Sequence, residues 1–374
     1  MATNGIRFVR NGRIETLAGI DPTLTVLQWL RSEGRTGTKE GCAEGDCGAC
    51  TVVLGEPDGD RVRYRAVNAC ILFVPMLDGR QLITVEDLKG PDGALHPVQQ
   101  AMVEAHASQC GFCTPGFVMS LFALYRSGAT PDRDAVQDAL AGNLCRCTGY
   151  RPILAAAARM HDGGSDDRFA AAEAETVRLL KEIRRADTLG IEGRGRRWFA
   201  PSSLDALADL RGRYPEAHLL AGGTDVGLWV TKQHRSLDPV IYLGGVRELR
   251  RIEETPTHIE IGAGVSYTGL LPTMGRHFPS FGALIRLLGS VQIRNSGTMG
   301  GNVANGSPIG DSMPALIALG ATLVLNRAGT RREMALENFY IAYRKNALAE
   351  GEFVEALTVP KTYSALSGGT GKRD

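Results

Sequence analysis

The eight cysteines of this 374-residue chain fall into two groups of four, and their spacing limits its possible folds more than any other feature. The first group is Cys42-x4-Cys47-x2-Cys50, followed by Cys70. One loop supplying three thiolates and a distant fourth is the ligand spacing of a plant-type [2Fe–2S] centre. In Gly41-Cys42-Ala43-Glu44-Gly45-Asp46-Cys47-Gly48-Ala49-Cys50 nearly every non-ligand position is small. Gly41, Gly45 and Gly48 can take positive φ, so the loop can wrap a cluster and turn amides toward its sulfurs. Cys70 follows two strand-like runs, residues 51–54 and 61–67, with Pro57-Asp58-Gly59 as the turn between them. Zinc or buried free thiols are the alternatives, but a zinc ribbon favours paired C-x2-C knuckles and has no use for the x4 arm.

The second group is Cys110-Gly111-Phe112-Cys113 with Cys145-Arg146-Cys147. Between the pairs, Thr114-Pro115 and Thr130-Pro131 each place a hydroxyl before a proline, the start signal of a helix. His96-Pro97 and Tyr150-Arg151-Pro152 open two flanking helices. Four short helices with cysteine pairs at facing turns describe a small bundle holding a metal centre. None of the seven histidines is spaced as a ligand partner to these cysteines, which disfavours Rieske-type ligation. His96 and His106 read as helix residues without partners.

Three stretches together resemble the iron–sulfur part of the xanthine dehydrogenase family of molybdenum hydroxylases: residues 41–50, Gln109-Cys110-Gly111-Phe112-Cys113-Thr114-Pro115-Gly116, and Gly142-Asn143-Leu144-Cys145-Arg146-Cys147-Thr148-Gly149-Tyr150-Arg151-Pro152. The resemblance covers roughly the first 160 residues. It implies that Cys110, Cys113, Cys145 and Cys147 hold the cluster closer to a molybdenum cofactor, that Gln109 touches the pterin, and that Cys42, Cys47, Cys50 and Cys70 hold the cluster nearer a flavin.

The expected fold class is α+β multidomain. Residues 6–17 read as a hairpin around Asn11-Gly12, and residues 23–32 as a helix closed by Gly34; this is a ferredoxin-like β-grasp [2Fe–2S] domain over 1–86. A four-helix bundle [2Fe–2S] domain follows over 87–160. Residues 161–197 are polar and glycine-punctuated and read as a linker. An α+β FAD-binding domain of the molybdenum hydroxylase type fills 198–374. With 43% hydrophobic and 22% charged residues the chain can bury more than one core, and a net charge of +1 gives no reason to expect nucleic acid or a membrane surface as partner. Residues 1–10 carry no apolar leader, no apolar run is long enough to span a bilayer, and cluster ligands need a reducing compartment, so the expectation is cytoplasmic.

Two glycine-rich loops carry the rest of the chemistry. His218-Leu219-Leu220-Ala221-Gly222-Gly223-Thr224-Asp225-Val226-Gly227 is an apolar strand running into adjacent glycines, able to present amides to a pyrophosphate, although a plain strand-to-turn reading also fits. Residues 294–311 combine glycines, amides and hydroxyls, followed by an apolar helix. The first of these loops, residues 218–227, is neither a G-x-G-x-x-G fingerprint nor a Walker loop. Both loops resemble the flavin-binding segments of the same family. The resemblance places Leu219, Leu220, Ala221, Gly222, Gly223, Thr224, Asp225, Val226, Leu288, Thr298, Met299, Gly300, Gly301, Asn302, Asp311 and Val354 on FAD-contacting positions, and Tyr343 beside the flavin face that nicotinamide approaches. Leu288 and Val354 also fit as ordinary core, and Asp311 as a helix N-cap. No side chain reads as a catalytic group, and Arg184-Arg185 and Arg331-Arg332 read as solvated surface.

The resemblance therefore implies an electron-transfer chain of xanthine dehydrogenase type, with two [2Fe–2S] clusters and FAD, NAD as acceptor, and a molybdenum cofactor on a large partner subunit in a heterotetramer of two small and two large subunits. The oxidised substrate would be hypoxanthine or xanthine, giving urate. A related enzyme of aldehydes or N-heterocycles is the alternative, although in several such relatives the clusters and flavin lie on separate chains. A stand-alone ferredoxin-like carrier would have no need of two flavin loops. Where the family continues into a third flavin subdomain with a lysine near the flavin, residues 361–374 read as a polar tail, so that subdomain is expected to be absent.

Overall fold

The computed structural model describes residues 5–128, 131–164, 166–343 and 345–361, and the polar tail lies outside them. The chain forms two compact units. The first comprises residues 1–200, 223–242 and 289–296, and the second residues 201–222, 243–288 and 297–374.

The first unit begins with a five-stranded sheet, β1 (Ile6–Arg10), β2 (Arg13–Leu17), β3 (Thr51–Asp58), β4 (Arg61–Asn68) and β5 (Gln81–Ile83), in the order β2-β1-β5-β3-β4. β1 pairs antiparallel with β2 around Asn11-Gly12 and parallel with β5. α1 (Val26–Ser32) starts at a capping box: Gln28 N donates to Thr25 Oγ1 and Thr25 N donates to Gln28 Oε1, both at 3.2 Å. Its Trp29 packs edge-on against Phe8 of β1 at 5.6 Å, so the helix lies across the sheet as in a β-grasp. β3 runs on to Asp58, which pairs with Arg61, so Pro57 and Asp58 belong to the strand and not to the turn.

Four helices follow, α2 (Pro97–Glu104), α3 (Thr114–Tyr125), α4 (Arg133–Leu140) and α5 (Arg151–Arg159). Their start signals differ in detail from the sequence reading. Thr114 is itself helical and its hydroxyl faces Ser108 Oγ at 2.8 Å, while Asp132 caps α4 by accepting from Ala135 N. Thr130 lies outside the described residues. His96 is not partnerless: Nδ1 accepts from Val98 N at 3.2 Å and Nε2 lies 3.0 Å from Asp167 Oδ2, which makes it a buried cap.

Val53, Ala66 and Ile83 of the sheet share one apolar core with Phe117, Phe122 and Ile153 of the helices, so the β-grasp and the bundle interlock. The expected linker is also part of this unit. α6 (Arg168–Ala171) places Phe169 4.7 Å from Phe122, and α7 (Glu173–Glu182) buries Val177, Leu179 and Leu180 in a core shared with Val9 and Val62. Its charged residues mask this in the sequence, because only one stripe of the helix is apolar. The strands Leu189–Gly193 and Arg196–Ala200 then pair antiparallel, and the second pairs parallel with Val240–Tyr242.

In the second unit five strands order as Ile252–Glu254, His258–Gly262, Phe353–Pro360, Thr322–Arg327 and Thr330–Ala335, all antiparallel. The central strand, Phe353–Pro360, is buried along most of its length. The helix Tyr267–His277 packs beside Pro279–Leu287, and Met299–Asn305 lies against the central strand. No helix among the described residues is long and apolar enough to cross a membrane.

Candidate functional site

The fold gathers each group of four cysteines, although their members lie up to tens of residues apart. In the first, the sulfurs of Cys47 and Cys70 both reach Cys42, and Cys70 also reaches Cys50. Leu27 N donates to Ala69 O at 3.0 Å and Ala69 N to Cys50 O at 3.2 Å, which delivers Cys70 to the loop. Glu44 N and Cys47 N donate to Cys42 Sγ at 3.5 and 3.4 Å, the amide-to-sulfur bonds expected around a cluster ligand. Gly45 and Gly48 have φ of +86° and +69°; Gly41 does not, and its missing Cβ instead makes room for Cys47 Sγ.

In the second, Cys145 Sγ lies 3.9 Å from Cys147 Sγ, and Cys147 Sγ 3.6 Å from Cys110 Sγ, while Cys113 reaches Cys145. These spacings are far above the roughly 2 Å of a disulfide. Thiolates about 2.3 Å from one tetrahedral metal stand about 3.7 Å apart. Thr148 donates from its amide to Cys145 Sγ at 3.5 Å, and its hydroxyl lies 2.9 Å from the same sulfur.

The electrostatics of both groups call for a cation. Contact with Cys47 and Cys70 drives Cys42 far below the ordinary thiol range, and contact with Cys42 drives Cys47 and Cys70 far above it. Burial and the Cys145 neighbour push Cys113 up to about 12; burial of Cys145 is outweighed by Thr148, leaving it at about 7. Four sulfurs this close cannot all be bare thiolates, and bound metal would remove the remaining protons. No three His, Cys, Asp or Glu side chains among the described residues converge on a single-ion position. Four thiolates in each group are what a [2Fe–2S] cluster takes. Both groups thus fit a [2Fe–2S] cluster.

The two groups differ in exposure. Cys50 and Cys70 are buried, whereas Cys110 is exposed and Gln109 beside it is exposed too. Around Cys110 the chain also exposes Phe112, Leu144 and Tyr150.

The first glycine-rich loop divides between the units, with Leu219–Gly222 in the second and Gly223–Val226 in the first. Gly223 has φ +78°, and the amides of Gly222, Gly223 and Thr224 meet no acceptor among the described residues. The helix that follows, Val226–Thr231, is fixed to the first cysteine loop. Gly227 packs so closely on Ile71 that a Cβ would come within 2.8 Å, Thr231 Oγ1 donates to Ala43 O at 2.8 Å, and Lys232 pairs with Glu44 at 3.4 Å. In the second unit, Arg211 is buried and donates to Pro215 O and Ala217 O at 2.8 and 3.1 Å, ordering the run into Leu219 and Leu220.

The second glycine-rich loop differs from the sequence expectation. Met299 N donates to Val265 O, Gly300 N to Ala263 O, Gly301 N to Thr298 Oγ1 and Asn302 N to Thr298 O, so its amides are already used. Residues 299–305 are a helix capped by Thr298, and Gly300 presses against Ala263. The glycines therefore serve packing here. Free donors must come from the amide of Asn302, whose Oδ1 accepts from Ser312 Oγ at 2.8 Å, and from the Thr298 hydroxyl. Asp311 stands at the N-cap position of Ser312–Ala318 yet makes no capping bond, and it is exposed. Val354 is buried in the central strand, Leu288 is half-buried, and Tyr343 is 76% exposed.

Three family profiles match this chain: a 2Fe-2S iron-sulfur cluster binding domain over residues 8–75, a [2Fe-2S] binding domain over 84–158, and the FAD binding domain in molybdopterin dehydrogenase over 191–362. The xanthine dehydrogenase of Emericella nidulans is 33% identical over 95% of this chain, and that of Drosophila pseudoobscura pseudoobscura 34% over 96%. The chain spans about 30% of the length of these relatives. Among solved structures, a carbon monoxide dehydrogenase from Hydrogenophaga pseudoflava aligns with a TM-score of 0.43 and 28% identity over 45% of this chain and 59% of that one. Two cysteine quartets of cluster geometry, with two [2Fe-2S] domain matches over 8–75 and 84–158 and the flavin-domain match over 191–362, identify this protein as the iron–sulfur and FAD-binding region of a molybdenum hydroxylase.

Proposed function

We propose that this chain is the electron-transfer part of a xanthine dehydrogenase, passing electrons from a molybdenum centre on a partner subunit through the Cys110 group and then the Cys42 group to FAD, with NAD⁺ as final acceptor. One observation carries the order of centres. The helix directly after the first glycine-rich loop is anchored on the Cys42 loop, through Gly227, Thr231 and Lys232, while Cys110 is the one exposed cysteine of the eight. When bound, the clusters and flavin supply the one-electron relay and the two-electron hand-off. Cys42, Cys47, Cys50 and Cys70 hold one cluster, and Cys110, Cys113, Cys145 and Cys147 the other. Gly222, Gly223 and Thr224 offer amides to the flavin diphosphate, Thr298 and Asn302 offer side chains, and Asp311 accepts from a ribose hydroxyl. Gln109 contacts the pterin of a large subunit in a heterotetramer, and Tyr343 lies where nicotinamide approaches. The names of the curated relatives support the purine substrate, and thiolate ligation favours a reducing compartment such as the cytoplasm.

The test is the purified protein with its partner. It should contain about four iron atoms per chain and show two distinct reduced [2Fe–2S] EPR signals. Cys113→Ser should remove one signal, abolish substrate-driven NAD⁺ reduction and leave NADH-driven dye reduction at the flavin. Zinc in place of iron refutes both clusters; survival of both activities in the variant refutes the order.

A further inference from the structure

The two cysteine loops touch each other through main chain. Leu144 N, adjacent to Cys145, donates to the carbonyl oxygen of Cys47 at 3.0 Å. From one ligand to the other there is therefore an unbroken route of covalent bonds joined by a single hydrogen bond. Electron tunnelling decays far less steeply along such a route than across an open gap.

What holds this contact is a buried polar set. Asn143 Nδ2 donates to Gly48 O at 3.1 Å, Ser120 Oγ donates to Asn143 Oδ1 at 2.7 Å, and Thr51 Oγ1 donates to Gly48 O at 2.7 Å. That leaves acceptor lone pairs on Thr51, Ser120 and Asn143 facing one point. Gln292 occupies it: its Nε2 lies 3.3, 3.1 and 3.0 Å from Thr51 Oγ1, Ser120 Oγ and Asn143 Oδ1. Gln292 is fully buried and comes from residues 289–296, about 150 positions beyond Asn143. The two hydrogens of Nε2 are shared among these three acceptors, and in the low dielectric of a core losing them is costly, whereas Gln292 Oε1 meets no hydrogen-bond partner among the described residues.

We infer that Gln292 is a positioning residue for electron transfer between the two clusters, clamping Asn143 and Thr51 so that the Leu144-to-Cys47 hydrogen bond stays closed. This rests on the cluster reading above. It assigns to the segment 289–296, which falls within the flavin-domain match, a part in the relay between the cysteine groups.

The test uses the full chain with both clusters and compares it with Gln292→Met, which keeps the length of the side chain and removes its N–H donors. Exchange of the Leu144 amide should quicken about thirtyfold, as expected for the loss of two hydrogen bonds of about 1 kcal/mol each. Electron equilibration between the clusters after a reducing pulse should slow severalfold, with both EPR signals and the iron content intact. A merely structural residue would change stability without slowing transfer. Ser120→Ala, which removes one acceptor of Gln292, should act in the same direction and decides the matter if Gln292→Met loses iron. Unchanged exchange and transfer in either iron-replete variant overturns the inference. Absence of two [2Fe–2S] signals in the parent protein would overturn the cluster reading itself.

Discussion

Gly116→Ala separates two opposite expectations. Gly116 is in the first turn of α3, where helix propensity favours alanine by up to about 1 kcal/mol. The surroundings argue the other way. A Cβ on Gly116 would sit 2.2 Å from the carbonyl oxygen of Gly48 and 3.2 Å from Asn143 Nδ2. An acceptable C···O approach is about 3.3 Å, so the cysteine loop would have to retreat by about 1 Å. Gly48 resists, because its φ is +69° and its carbonyl accepts from Thr51 Oγ1, Thr51 N and Asn143 Nδ2. Overpacking costs about 1–3 kcal/mol, and a 2.2 Å approach to a backbone oxygen belongs to the upper part of that range, about 2–3 kcal/mol, leaving a net loss of about 1–2 kcal/mol after a propensity gain of about 1 kcal/mol. Because a protein with two clusters does not unfold in two states, the readout should be local: amide exchange at Thr51 and Leu144, and the rate of cluster bleaching in chelator. Exchange should rise about five- to thirtyfold. Equal or slower exchange in Gly116→Ala would show that the loops part freely and would refute the close-approach argument.

Asp311→Ala should leave thermal stability within about 0.5 kcal/mol, since its carboxylate caps nothing, while weakening FAD by about 1–3 kcal/mol as measured by flavin titration. Lost stability with intact flavin would assign it to the helix instead. Burial raises the Asp167 pKa, but His96, the Ala170 amide and Arg126 outweigh it and hold the carboxyl below its ordinary value. Its stabilisation is therefore fully present above about pH 4 and is lost as pH falls through the lower folded value. Asp167→Asn should flatten the acid side of the stability profile followed by circular dichroism, and parallel profiles would remove Asp167 from that role.

Local signals carried the β-grasp and the bundle well. Asn11-Gly12, the Gly34 stop and the prolines at helix starts act over a few residues, and the cysteine spacing encodes ligation directly. The stretch 161–197 was illegible because its apolar side chains, Phe169, Val177 and Leu180, are sparse among charges and meaningful only against Val9 and Phe122. Gly300 read as a flavin-loop glycine, and its missing Cβ is also what lets Ala263 approach, since sequence gives the absence of a Cβ but not the atom that needs the space. Gln292 had no signal at all. A single polar residue in a short helix is ordinary until Thr51, Ser120 and Asn143 are found around it.

The first unit closes over the Cys42 loop only with residues 223–242 and 289–296, which has a consequence for assembly during synthesis. At about 5–20 residues per second, the roughly one hundred residues between position 200 and position 296 take on the order of 5–20 s to emerge. Through much of that interval Ile71, Ala43 and Gly45 lack the helices that later cover them. The Cys42 loop is then uncovered on one face, although Cys42 and Cys47 remain half-buried and not fully enclosed in the finished protein. The interleaved chain thus finishes the surroundings of the first cysteine group well after those of the second have been made.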